Sequence, residues 1–72
     1  MKVYLVDEYR NVYYKLYGIF STREKAIARF NEIVDSRPFN PSIQYIDSDS
    51  GESLPYVDLR DWVLSVTEEE VE

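Results

Sequence analysis

Gly18-Ile19-Phe20-Ser21-Thr22-Arg23-Glu24-Lys25-Ala26 is the stretch whose reading decides the fold. It joins an aromatic, β-branched run to a segment with helical periodicity. Ser21 followed three residues later by Glu24 is a capping-box pattern: the hydroxyl accepts from the first turn and the carboxylate returns to the cap amide. Beyond it, Ala26, Ile27, Phe30, Ile33 and Val34 form an apolar stripe at helical spacing, while Lys25, Arg29 and Glu32 fall on other faces. Arg37 suits the negative end of the helix dipole, and Pro38 stops the helix. The pattern predicts a helix over about 22–36.

Upstream, residues 2–8 and 12–20 read as two strands. The short connection Tyr9-Arg10-Asn11 makes them an antiparallel hairpin. Lys2 and Lys15 belong in water, which turns Val3, Leu5, Val12, Tyr14 and Leu16 inward and leaves Tyr4, Tyr13 and Tyr17 outward. Downstream, Ile43–Asp47 reads as a strand and Ser48-Asp49-Ser50-Gly51 as a turn. Residues 54–61 are ambiguous because Pro55 opposes a central strand position. Trp62 to Thr67 alternates, with Trp62, Leu64 and Val66 inward. Glu68–Glu72 reads as a frayed acidic tail. The expected fold is α+β: one domain over residues 1–72, an antiparallel β-sheet of about four strands in ββαββ order, with one helix packed on one face. Phe30 and Ile33 are expected to meet Leu5, Leu16, Trp62 and Leu64 in its core.

Composition narrows function by exclusion. The 72 residues contain no cysteine and no histidine, which removes disulfides, thiolate zinc sites and His-based triads. Lys2, Lys15 and Lys25 have no apolar setting that would activate an amine, and no pair stands out among the 14 acids. No enzyme and no cofactor is expected. Without an apolar run long enough for a leader or a membrane span, the expectation is a cytoplasmic protein with no membrane partner. The net charge of −6 repels phosphate and argues against direct nucleic-acid binding.

Three constellations remain. Residues 47–72 hold nine acids against Arg60, a net −8, whereas residues 1–46 are +2. Asp47, Asp49, Glu52, Asp58 and Asp61 form a candidate acidic surface for a basic partner groove; a merely solubilising surface is the simpler reading. Asp47 to Glu52, with Asp58 beyond, is similar to a calcium loop, but the glycine falls one position early and Pro55 occupies a ligand position. A hairpin turn is expected there, with no metal. Tyr4, Tyr13 and Tyr17, with Lys15, Ile46 and Val63, form a candidate partner or dimer face on the uncovered side of the sheet.

From Val3 to about Val34 the chain resembles small phage and mobile-element proteins. These open with a Lys-Val-Tyr-Leu-Val type strand and lead into one helix through Gly-Ile-Phe-Ser-Thr-x-Glu-Lys-Ala. Several anti-CRISPR proteins are similar in size and element order. The resemblance implies a phage-type inhibitor that occludes a host CRISPR or other nucleic-acid-handling complex. The alternative is a small homodimeric structural or regulatory protein that associates through the Tyr-rich face.

Overall fold

The computed structural model describes residues 1–71. Five strands and one helix follow in the order β1 (Lys2–Arg10), β2 (Tyr13–Phe20), α1 (Arg23–Asp35), β3 (Gln44–Asp47), β4 (Ser53–Leu59) and β5 (Trp62–Glu70). They form one antiparallel sheet in the spatial order β2-β1-β5-β4-β3, with α1 on one face. The α+β class and antiparallel sheet agree with the sequence pattern. The strand count is five, because the ambiguous stretch around Pro55 is β4. Pro55 lies opposite Tyr45 of β3, and the ladder with β5 begins only at Tyr56, so the proline is beyond the register with the central strand β5.

Residues paired directly across an antiparallel sheet project from the same face. Three rows thereby define the helix side: Phe20–Tyr4–Glu68, Gly18–Val6–Val66 and Lys15–Glu8–Leu64–Val57. Three others define the open side: Ile19–Leu5–Thr67, Leu16–Asp7–Ser65–Tyr56–Gln44 and Tyr14–Tyr9–Val63–Asp58. The core lies on the helix side, where Tyr4, Val6, Leu64, Val66, Val57 and Trp62 meet Ala26, Phe30, Ile33 and Val34. Trp62, Leu64 and Val66 point inward as their alternation predicts. The β1–β2 hairpin is opposite to expectation: Tyr4 and Val6 are buried, Leu5 is half-buried on the open side, and Val12, Tyr14 and Leu16 are exposed.

The inversion has a physical cause. Lys2 and Lys15 do lie on the helix side, but near the ends of their strands, where each ammonium escapes the core. Lys2 reaches Glu68 at 3.8 Å, and Lys15 lies over the Tyr17 ring at 4.7 Å. Two local features set the hairpin. Asn11 takes a positive φ of 55° in a two-residue turn, a conformation asparagine tolerates. The β1–β2 register slips between Val6 and Asp7, which leaves Tyr17 as an extra residue on β2 and directs it to the helix side. Gly18 follows, where an added Cβ would come 2.9 Å from the Phe20 ring.

The helix begins one residue later than the capping-box pattern suggests. Thr22 is the cap, its Oγ1 accepting from the Lys25 amide at 3.3 Å, so Glu24 stands in the first turn without closing a box. The acidic end is also different: Glu68–Glu70 continue β5 against β1, and the Val71 amide donates to the Met1 carbonyl at 2.6 Å. The N-terminal ammonium meets Glu70 at 3.0 Å. Glu72, the last residue of the expected tail, lies outside the described residues. Among the described residues no helix is long and apolar enough to cross a membrane.

Replacing Thr22 by Ala should destabilise the fold by about 0.5–2 kcal/mol in chemical denaturation, with little loss for Ser21→Ala. The reverse ranking would return the cap to Ser21.

Candidate functional site

The acids of the candidate surface divide. Asp47, Asp49 and Glu52 belong to the β3–β4 hairpin, while Asp58 and Asp61 sit at the other end of β4. That strand spans seven residues, so the two groups stand about 20 Å apart. The hairpin is a tight turn: the Gly51 amide donates to Ser48 O at 2.9 Å, and Gly51 adopts φ 88°. Ser48, Ser50 and Glu52 bond to the rest of the protein, whereas Asp47 and Asp49 are exposed. Ser48 and Ser50 donate to Glu68 Oε2 at 3.1 and 2.7 Å, and with Lys2 they hold that carboxyl below its usual range, Ser50 contributing most. Glu52 accepts from the Tyr4 hydroxyl at 2.5 Å. The expected continuous acidic patch is therefore two separate groups, and Glu52 is engaged in holding the core.

The tyrosine face is corrected more strongly. Tyr4 is a core residue, and the bond to Glu52 raises its phenol to about 12. Tyr17 is half-buried against the core on the helix side, where burial and then Glu8 push its phenol up. Tyr13 alone is exposed, on the same side at the outer end of β2. The three do share one side of the sheet, but it is the covered one. They cannot form a common outer surface.

Sequence reading missed the chemistry around Glu8. This carboxylate sits on β1 with its side chain 3% exposed. Its Oε1 accepts from Trp62 Nε1 at 2.6 Å, Arg37 Nη2 at 2.6 Å and the Tyr17 hydroxyl at 3.2 Å, with Arg10 at 3.8 Å. Four separate parts of the chain thus converge on one oxygen. Arg37, assigned from sequence to the helix dipole, instead crosses to β1 and lies over the Trp62 ring at 4.9 Å. Its Nε is buried without an acceptor. Beside the cluster opens a cavity of about 390 Å³ lined by Glu8, Arg10, Tyr13, Lys15, Tyr17 and Arg37. A second, of about 240 Å³, shares Arg10 and Arg37 and adds Asn11, Phe39, Asp61 and Trp62. The sequence signal for it is the plain alternation that groups Glu8 and Arg10 with Tyr4, and Lys15 with Tyr17, on one side of the hairpin.

The open side carries a different pattern. Leu16, Ile19, Tyr9 and Tyr14 are exposed there, with Leu5 and Val63 half-buried. In their midst Asp7 is only 8% exposed. It accepts from Ser65 Oγ at 3.0 Å and Tyr14 OH at 3.2 Å, and among the described residues it has no cationic partner. Burial and then Asp7 raise the Tyr14 phenol. The strand positions of this side include the acids Asp7, Asp58 and Glu69 and no Lys or Arg; Lys2, Arg10 and Lys15 all project from the other side. No group of three or more carboxylates converges as a metal site would require among the described residues.

Fold and site define an α+β domain with one helix on an antiparallel sheet, a basic cavity on the covered side and an apolar, acidic open side. A family described as a domain of unknown function, DUF7336, matches residues 1–54, and the chain belongs to that family. The match takes in Glu8, Arg10, Tyr13, Lys15, Tyr17 and Arg37, whereas Asp58, Asp61 and Trp62 lie beyond it. No curated protein and no solved structure matches the chain.

Two outcomes follow from these contacts. Arg37→Met strands a buried carboxylate and should cost about 3–5 kcal/mol in chemical denaturation. Adding Glu8→Gln should recover more than half of that loss; equal stability of single and double variants would mean the pair is not coupled.

The raised Tyr4 phenol favours the protonated form in the folded state. Its contribution is complete below the ordinary phenol range near 10 and is lost as pH rises through about 12. Tyrosinate absorbance should therefore show one late-titrating phenol that coincides with alkaline unfolding. Tyr4→Phe should remove it, and an unchanged titration would displace Tyr4 from that role.

Proposed function

We propose that this protein is a non-catalytic binding module whose open sheet face docks a protein partner presenting a cation within an apolar surface. The observation that carries the reading is Asp7, a nearly buried carboxylate with two hydroxyl donors and no counter-charge, at the centre of exposed Leu16, Ile19, Tyr9 and Tyr14. Buried charges are ordinarily paired, and exposed apolar patches rimmed by polar groups ordinarily bind something. A lysine or arginine from a partner would complete Asp7, while Asp58 and Glu69 at the margins would steer its approach. A basic nucleic-acid-binding groove is one such surface, and its occlusion is the form of inhibition that the resemblance to anti-CRISPR proteins implies.

Self-association through this face is less favoured. A two-fold pairing would bring acids against acids with no basic strand residue to separate them.

Asp7→Asn should leave the melting temperature unchanged or raise it, because the free protein loses an uncompensated buried charge. The same change should weaken capture of the partner by about tenfold or more, and Ile19→Asp should abolish capture without unfolding the chain. Capture that survives both variants overturns the reading. A dimer in sedimentation that Ile19→Asp disperses would move the face to self-association.

A further inference from the structure

On the opposite side of the sheet, and independently of that partner face, we infer that the two cavities, which share Arg10 and Arg37 in their linings, form a binding site for a small phosphate ester carrying a planar ring, of the nucleoside monophosphate class. The argument begins with local charge. Arg10, Lys15 and Arg37 line the larger cavity with Glu8 as its one acid. Glu8 meets Arg37 at 2.6 Å and Arg10 at 3.8 Å, so in the larger cavity three cations face one carboxylate and Lys15 has no share in it. A local excess of arginine and lysine donors suits a phosphate, whose several oxygens can take more than one of them, better than a single carboxylate. Net charge is a property of the whole chain, but a ligand responds to the field where it binds, and here the acids of residues 47–72 contribute only Asp61, in the adjoining cavity.

The site is built on buried, oriented groups. Glu8 is held by Trp62, Tyr17 and Arg37, and it fixes the guanidinium at the floor of the cavity. Among the described residues Arg37 donates through Nη2 alone, and its buried Nε has no acceptor there. Five N–H donors with so few acceptors leave the arginine short of hydrogen bonds. The buried Nε is out of a ligand's reach, but the part of the guanidinium that faces the cavity has donors for a phosphate oxygen.

The adjoining cavity supplies the second half of the ligand. Phe39 and Trp62 wall it with rings 5.8 Å apart and nearly perpendicular, and its lining is predominantly apolar. Asn11 and Asp61 add polar atoms at its edge. Asp61 repels a second anion but accepts from an N–H donor such as an exocyclic amine. Arg10 and Arg37 belong to both cavities, so phosphate in one and ring in the other are bridged by the same two guanidinium groups. The larger cavity alone falls within the usual size of small-molecule sites.

Trp62 is the only tryptophan, so its fluorescence reports the ring cavity directly. Titration with adenosine monophosphate should quench Trp62 and shift the Arg10, Lys15 and Arg37 resonances in nuclear magnetic resonance spectra. Inorganic phosphate should shift the same arginines without quenching, and adenosine should bind more weakly than the monophosphate. Arg10→Gln and Lys15→Gln, both at exposed positions, should each weaken binding by about tenfold with unchanged melts, whereas Lys25→Gln on the helix should not. No response to millimolar adenosine monophosphate overturns the site. So does equal weakening by Lys25→Gln, which would mean bulk charge, or equal affinity for phosphate and the monophosphate without a Trp62 response.

Discussion

One carboxylate oxygen holds this small domain together. Glu8 Oε1 receives Trp62 from β5, Tyr17 from β2 and Arg37 from the segment after α1, so a single point on β1 ties three other regions to it. A buried carboxylate is costly unless its partners are well placed, and the chain meets that cost with three donors at hydrogen-bonding distance. Several other features depend on this arrangement. The β-bulge directs Tyr17 to the side where Glu8 lies, and the stop at Pro38 follows directly on the residue whose guanidinium returns to the sheet. Phe39 then packs edge-on against Trp62. In a chain with no disulfide and a core of a dozen side chains or so, such a junction limits how the helix can shift on the sheet.

The elements of the fold were legible in the sequence because each rests on local chemistry. The helix stripe, the alternation of Trp62, Leu64 and Val66, and the turn residues around Gly51 act within a few positions of one another. Even the grouping of Tyr4, Tyr13, Tyr17 and Lys15 on one side of the hairpin was readable. Which side faced the helix was not. The lysines suggested water, but a lysine close to the end of a strand reaches water from a covered face, and a tyrosine in the core needs only one partner for its hydroxyl, which Tyr4 finds in Glu52, 48 residues away. Contacts of that sequence separation leave no local trace.

The same limit applies to the candidate sites. Nine acids close together in sequence suggested a surface, but a strand of seven residues carries its two ends apart, and the hairpin consumed Glu52 and Glu68 in internal bonds. The basic cavity had no such signature, because Arg10, Lys15 and Arg37 are dispersed and the chain as a whole is acidic. Charge summed over sequence and charge seen by a ligand are different quantities. The second is set by register, and here one extra residue at Tyr17 decides it.

Asp7 and Glu8 show how the sheet divides the molecule. Adjacent on β1, they project to opposite sides, and both are nearly buried. Glu8 has Arg37, whereas Asp7 has only hydroxyls from Ser65 and Tyr14. The cations of the strands all lie with Glu8, so no strand position on the open face supplies Asp7 with one. Replacing Asp7 by a neutral residue would cost the free domain little. The place of Asp7 among exposed Leu16, Ile19 and Tyr14 is what the proposed partner face rests on. On the covered side the cavity beside Glu8, lined by Arg10, Lys15 and Arg37, has more cations than acids, and the anion site proposed above lies there. On the two proposals made above, a single-layer sheet presents two unlike surfaces, separated by the thickness of one strand.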